Sequence, residues 1–109
     1  MALPLNVFKT ITQVVPTSPV GIYTAPVGYT GVVLLAQAAN VGNDTHSVTF
    51  VHRRSGVDTE IVKDFAIQPN DSVGFLQGKL TLQSGDVLVL SASDANNVKF
   101  IGSILETLN

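Results

Sequence analysis

The chain has 109 residues, which suits one domain with one core; 45% are hydrophobic and only 13% charged, about half the usual globular share of roughly 25%. Six Lys and Arg face eight Asp and Glu with no basic run, which argues against nucleic acid as a partner because phosphate binding draws on clustered cations. There is no cysteine, which excludes disulfides and thiolate metal sites, and the shortage of charge points to a surface that meets other protein.

Met1 to Asn6 reads as an extended arm, with Pro4 opposing regular pairing, and residues 7–109 as one domain. The start lacks a basic n-region and a long apolar h-region. The longest apolar stretch, Gly31 to Ala39, is far short of the roughly 20 residues of a membrane helix. The expectation is a soluble protein made and used without secretion.

Val7 to Val15 alternates as a strand, with Phe8, Thr10, Thr12 and Val14 on one face. Pro16 to Pro19 is a turn, and Val20 to Thr24 a short strand. Pro26-Val27-Gly28 is a tight turn in which Gly28 supplies a positive φ. Thr30 to Asn40 is apolar on both faces, as in a strand covered on both sides. A hairpin connection follows, with Gly42 and Asn43 as the positive-φ candidates.

Ser47 to Arg54 alternates, with Val48, Phe50 and His52 opposite Thr49, Val51 and Arg53. Ser55-Gly56 turns the chain into Thr59 to Ile67, where Ile61, Phe65 and Ile67 share a face with Lys63. Val73 to Leu76, Lys79 to Leu82, Asp86 to Ser93 and Val98 to Leu105 complete the set. The pattern predicts an all-β fold: a single antiparallel, jelly-roll-like β-sandwich of about eight or nine short strands.

Catalytic chemistry finds no constellation. His46 and His52 are about 20 Å apart on one extended strand and do not share a metal. Asp58 and Glu60 are placed for cross-strand pairing with Arg53 or Arg54 rather than for acid–base work. No nucleophile elbow and no phosphate-cradling loop occurs, so the reading is non-enzymatic, with no cofactor and no metal.

Four segments resemble the small virion structural proteins of tailed bacteriophages, in particular cyanophage-type myoviruses. They are Met1 to Thr10, Ile22 to Thr30 with the apolar strand behind it, Thr49 to Arg54, and Gly78 to Asp86; Ser103 to Thr107 extends the likeness. Such proteins include head decoration, neck, tail and fibre components. The resemblance implies a β-sandwich that assembles in several copies on a virion, and it carries no site residues with it.

Several strands have apolar residues on both faces, among them Val87 and Val89 opposite Leu88 and Leu90, and Phe100 and Ile104 opposite Ile101 and Leu105. A sheet in a sandwich has one inner face, so the second needs cover, which a symmetric oligomer provides. The interface candidates are Leu3 and Leu5 of the arm, the cationic group His52, Arg53 and Arg54, Tyr29 at the sandwich edge, and Leu88, Leu90, Ile101 and Leu105. The expected function is a capsid decoration (cement) protein, a homo-oligomer with a trimer favoured, on the major capsid protein or other virion proteins. The alternatives are a neck, tail or baseplate component and a carbohydrate-binding module, in which Tyr29 would stack on a sugar.

Overall fold

A computed structural model describes residues 6–109 and turns the predicted alternation into nine strands. They are β1 (Asn6–Val14), β2 (Val20–Thr24), β3 (Tyr29–Asn40), β4 (His46–Arg54), β5 (Val57–Ile67), β6 (Ser72–Gly74), β7 (Leu80–Leu82), β8 (Val87–Ala92) and β9 (Val98–Leu108). No helix occurs among the described residues. A five-stranded sheet has the order β1-β9-β3-β6, with β7 also paired to β3; a four-stranded sheet has the order β2-β8-β4-β5. Every pairing is antiparallel. The expected arm lies outside the described residues except for Asn6, which pairs with Thr107 in β1.

The inner faces meet in one core. Phe50 of β4, Phe75 just after β6 and Phe100 of β9 pack their rings 5.1, 5.7 and 6.3 Å apart, centroid to centroid. Val33, Val48, Leu82, Leu88, Leu90, Val98 and Ile104 close around them, each with at most 2% of its surface exposed. Such offset ring packing adds to the area that the aromatics remove from water.

The turns follow their residues. Tyr29 N donates to Pro26 O at 3.1 Å, and Gly28 takes φ +86° at the third position, the geometry of a type II turn. A Cβ at Gly28 would meet nothing within 4 Å, so only backbone strain opposes a side chain there. Gly28→Val is therefore expected to cost about 1–2 kcal/mol, read as a lower denaturation midpoint with an unchanged slope. Ser55 and Gly56 both have positive φ, as a two-residue type I′ hairpin requires.

The connection after β3 differs from expectation. Neither Gly42 nor Asn43 has positive φ. The loop is organised instead by buried Asn40, whose side-chain amide donates to Asp44 O at 2.7 Å and Ile67 O at 2.9 Å, while its oxygen accepts from Gly42 N at 2.9 Å. β5 also departs from simple alternation. Asp64 has φ +49°, the β4–β5 register shifts there, and Phe65 is left 44% exposed while Ile67 is buried. A bulge of this kind re-aims the side chains beyond it.

Candidate interaction surface

The two sheets treat their outer faces differently. In the four-stranded sheet, Val51 and Val89 face away from the core cluster yet are 7% and 3% exposed, in a row that runs Gly21–Val89–Val51–Glu60. Those two outward valines are buried. Outward apolar residues of the five-stranded sheet are not.

Register fixes what the outer face of the five-stranded sheet presents. Phe8, Leu105, Val32 and Thr81 form one row across β1, β9, β3 and β7. Thr10, Ser103 and Leu35 form the next, then Thr12, Ile101, Gln37 and Gly74, then Val14, Lys99, Ala39 and Ser72. Phe8 is 74% exposed, Val14 46%, Leu35 41% and Ile101 39%. Lys99 is the one charged residue in these four rows. Together these side chains make a clustered, exposed apolar patch with little charge. Toward the Val14 end, Thr12, Val14, Gln37, Ala39, Val41, Lys99 and Ile101 line an open hollow of about 670 Å³.

β3 accommodates this face by a bulge. Val33 pairs with Ile104 inside and Leu35 with Ser103 outside, so Leu34 is the extra residue. Across from the bulge, Gly102 is needed because Phe100 lies under it. A Cβ there would stand 3.0 Å from the Phe100 ring and 3.2 Å from Leu35 O.

Two buried carboxylates tie the sandwich together at the opposite end from Asn40. Asp86, 2% exposed at its side chain, accepts from Arg54 Nε at 2.8 Å and Arg54 Nη2 at 2.6 Å, and from Gln83 N at 2.8 Å; His52 Nε2 lies 3.0 Å away. The Arg54 guanidinium, opposed by burial and helped by His52 and Gln83 N, holds the Asp86 carboxyl well below its ordinary value. Glu106, facing inward from β9, accepts from Tyr23 Oη at 2.5 Å and pairs with Lys9 Nζ at 3.3 Å. Burial, and then the Glu106 carboxylate, push the Tyr23 phenol above its ordinary value. Tyr23 belongs to the four-stranded sheet and Glu106 to the five-stranded sheet, so this bond joins the layers. Tyr23→Phe is expected to lower stability by about 1–2 kcal/mol, seen as a fall in Tm, because it strips a charge-assisted bond from a buried acceptor.

The sequence-derived candidates scatter. Leu3 and Leu5 lie outside the described residues. His52 and Arg54 turn to Asp86, and Arg53 makes a two-pronged pair with Asp58 at 2.5 and 3.0 Å, so all three are engaged within the chain. Arg53 with Asp58 is the pairing expected of the β4–β5 hairpin; Arg54 instead reaches the β7–β8 turn. Leu88 and Leu90 are 1% and 0% exposed and belong to the core, which leaves them no free surface. Tyr29 opens β3, half-buried, and its carbonyl accepts from Ser84 Oγ at 2.8 Å. Ile101 and half-buried Leu105 stand on the open sheet face.

Sequence reasoning missed Phe8, Val14, Val32 and Leu35 as their companions. The parity of Phe8 and Val14 was readable, but not the pairing of β1 with β9 that sets them beside Ile101 and Leu105. Glu106 was also missed, although it continues the inward series Phe100, Gly102, Ile104.

No group of three or more His, Asp or Glu among the described residues is placed to hold a metal ion. No family model matches the sequence, and no curated protein matches it. Solved structures do share the fold. A chain from the disulfide-linked pili that form Bacillus endospore appendages superposes with a TM-score of 0.58 at 18% identity, over 95% of this chain and 88% of that one. A chain from the acid-stable capsid of Helicobacter pylori bacteriophage KHP30 gives 0.58 at 16% identity, over 96% and 89%. The fold is thus similar to that of proteins from two ordered assemblies, a capsid and a pilus.

Proposed function

We propose that the protein is a non-enzymatic structural subunit of a bacteriophage virion, a capsid decoration (cement) protein that binds and stabilises the head shell as an oligomer. One observation carries the reading: a sandwich with a closed core still leaves Phe8, Val14, Leu35 and Ile101 in the open on a nearly uncharged sheet face. A subunit repeated in many copies puts such a face against a neighbour. The likeness to a chain of a phage capsid supports the choice of particle. The pilus likeness supports assembly in general, but the absence of cysteine removes the disulfide link of that assembly.

A carbohydrate-binding role is less well supported. Phe50, Phe75 and Phe100 are packed together in the core and Tyr23 is bound to Glu106. Phe8 and Phe65 lie on different sheets, so these two exposed rings do not form a paired platform for a sugar ring. Immunogold labelling of intact particles of the virus that encodes the chain tests the proposal. Label over the heads is expected. Label on the neck or tail moves the subunit to that part of the particle, and absence of the chain from purified particles rejects the reading.

A further inference from the structure

Of the features outside the two carboxylate clusters, the outer face of the five-stranded sheet carries the most. Its two ends differ in shape. At one end Phe8 projects, 74% exposed. At the other lies the hollow lined by Thr12, Val14, Gln37, Ala39 and Ile101. Six residues along β1 separate Phe8 from Val14, about 20 Å. Projection and hollow therefore share one flat face, with Ser103, on β9 opposite Thr10, near the midpoint between them.

We infer that this face docks on the same face of a second copy, with the strands of the two sheets running antiparallel about a two-fold axis near Ser103, so that each Phe8 enters the other copy's hollow. Reversal of the second copy is what brings projection to hollow twice. It also sends the two Lys99 side chains to opposite ends of the contact, so the one charge in the rows does not meet its like. A packing that kept the strands parallel would leave both Phe8 rings at one end, away from both hollows, and set Lys99 near Lys99. A three-fold ring needs two different, mutually complementary patches on each subunit, whereas a two-fold contact uses one patch twice. One open apolar face on this sandwich therefore fits a dimer rather than the trimer expected from the sequence.

The size is sufficient. Four rows spaced by two residues across four strands cover about 500 Å² per copy, or about 1,000 Å² for the pair, the lower end of specific interfaces. The inference rests on the assembly reading in one respect, that protein covers this face, and its test is separable from the localisation of the chain on a particle.

The absence of native cysteine makes single-cysteine variants clean probes. Ser103→Cys places a thiol near the axis, and a short bismaleimide matches the roughly 10 Å spacing of stacked sheets. Sedimentation and light scattering of the wild-type chain are expected to show twice the chain mass. Ser103→Cys is expected to cross-link to a covalent dimer. Phe8→Glu and Ile101→Lys, which alter exposed positions outside the core, are expected to weaken association at least tenfold with far-UV circular dichroism unchanged. Phe65→Lys, on the edge of the other sheet, is expected to leave the dimer intact and serves as the control.

A monomer up to millimolar concentration overturns the inference. So does a dimer indifferent to both face substitutions, or cross-linking through Phe65→Cys but not Ser103→Cys. Gln37→Lys, on the rim of the hollow, replaces either face variant that fails to fold. Should the chain dimerise in this way yet be missing from virions, the dimer stands and the virion reading fails. Should it sit on virions with Ser103→Cys cross-linked to a different protein, the virion reading stands and the dimer fails.

Discussion

Phe50→Ala is expected to cost about 4 kcal/mol, the largest single loss in the molecule, and to lower Tm by roughly 20 °C. Phe50 has no exposed surface and packs against both Phe75 and Phe100 in a three-ring cluster. It lies on β4 of the four-stranded sheet, Phe100 lies on β9 of the five-stranded sheet, and Phe75 follows β6. The ring is thus where the layers touch, and its removal leaves a void that neither sheet can close without shifting a ladder. Close packing makes such voids expensive, because the wall atoms lose contacts they cannot regain. Phe50→Leu, which keeps most of the volume, is expected to lose less than half as much. Equal losses for the two variants would show that the ring's size is not what the core requires.

Asp86→Asn is expected to be the second most damaging, at roughly 2–4 kcal/mol, because it leaves donors around a buried site facing an amide that cannot accept from all of them. Arg54 is about half exposed and can return part of its guanidinium to water, which holds the cost below that of a fully buried pair. The pH dependence gives a second readout. The Asp86 carboxyl is held below its ordinary value of 3.8, so the folded state binds its proton less readily than the unfolded state. Its contribution is therefore complete above about pH 4 and is lost progressively as pH falls through the lower folded-state value. The wild-type chain should lose stability steeply below that point. Asp86→Asn should be less stable at neutral pH and show a shallower acid slope, with the exposed Asp58 pair and the hydrogen-bonded Asp94 contributing to both proteins alike. Parallel acid curves would contradict this placement of the charge.

Local chemistry made much of this fold legible. Alternation marked β1, β4 and β5, since a half-buried strand must repeat every two residues; apolar runs bounded by turns marked β3 and β8, and Pro26-Val27-Gly28 announced a turn that only a residue tolerant of positive φ completes without strain. Boundaries moved by a few residues, as with Leu108, which extends β9 past the expected Leu105. What stayed hidden was non-local. The two faces of β8 are equally apolar in sequence, and only the folded structure shows that Leu88 and Leu90 belong to the core cluster while Val89, also buried, lies outside it. Arg54 could be seen to need a carboxylate, but its partner Asp86 lies 32 residues away, at the start of the strand expected from Asp86 to Ser93. Ile101 and Leu105 were found by parity, yet the face they belong to is assembled from β1, β9 and β3, and chain order alone does not state that grouping.

The most direct measurement of the proposed role is a cryo-electron microscopy map of the intact phage particle, resolved well enough to place the strands of any copy of this chain. Protein density covering Phe8, Leu35, Ile101 and Leu105 is expected, with the outer face of the five-stranded sheet buried. A subunit seated on the particle through its loops alone, with that face open to solvent, would contradict the claim that uncovered strand surface is what commits this chain to assembly.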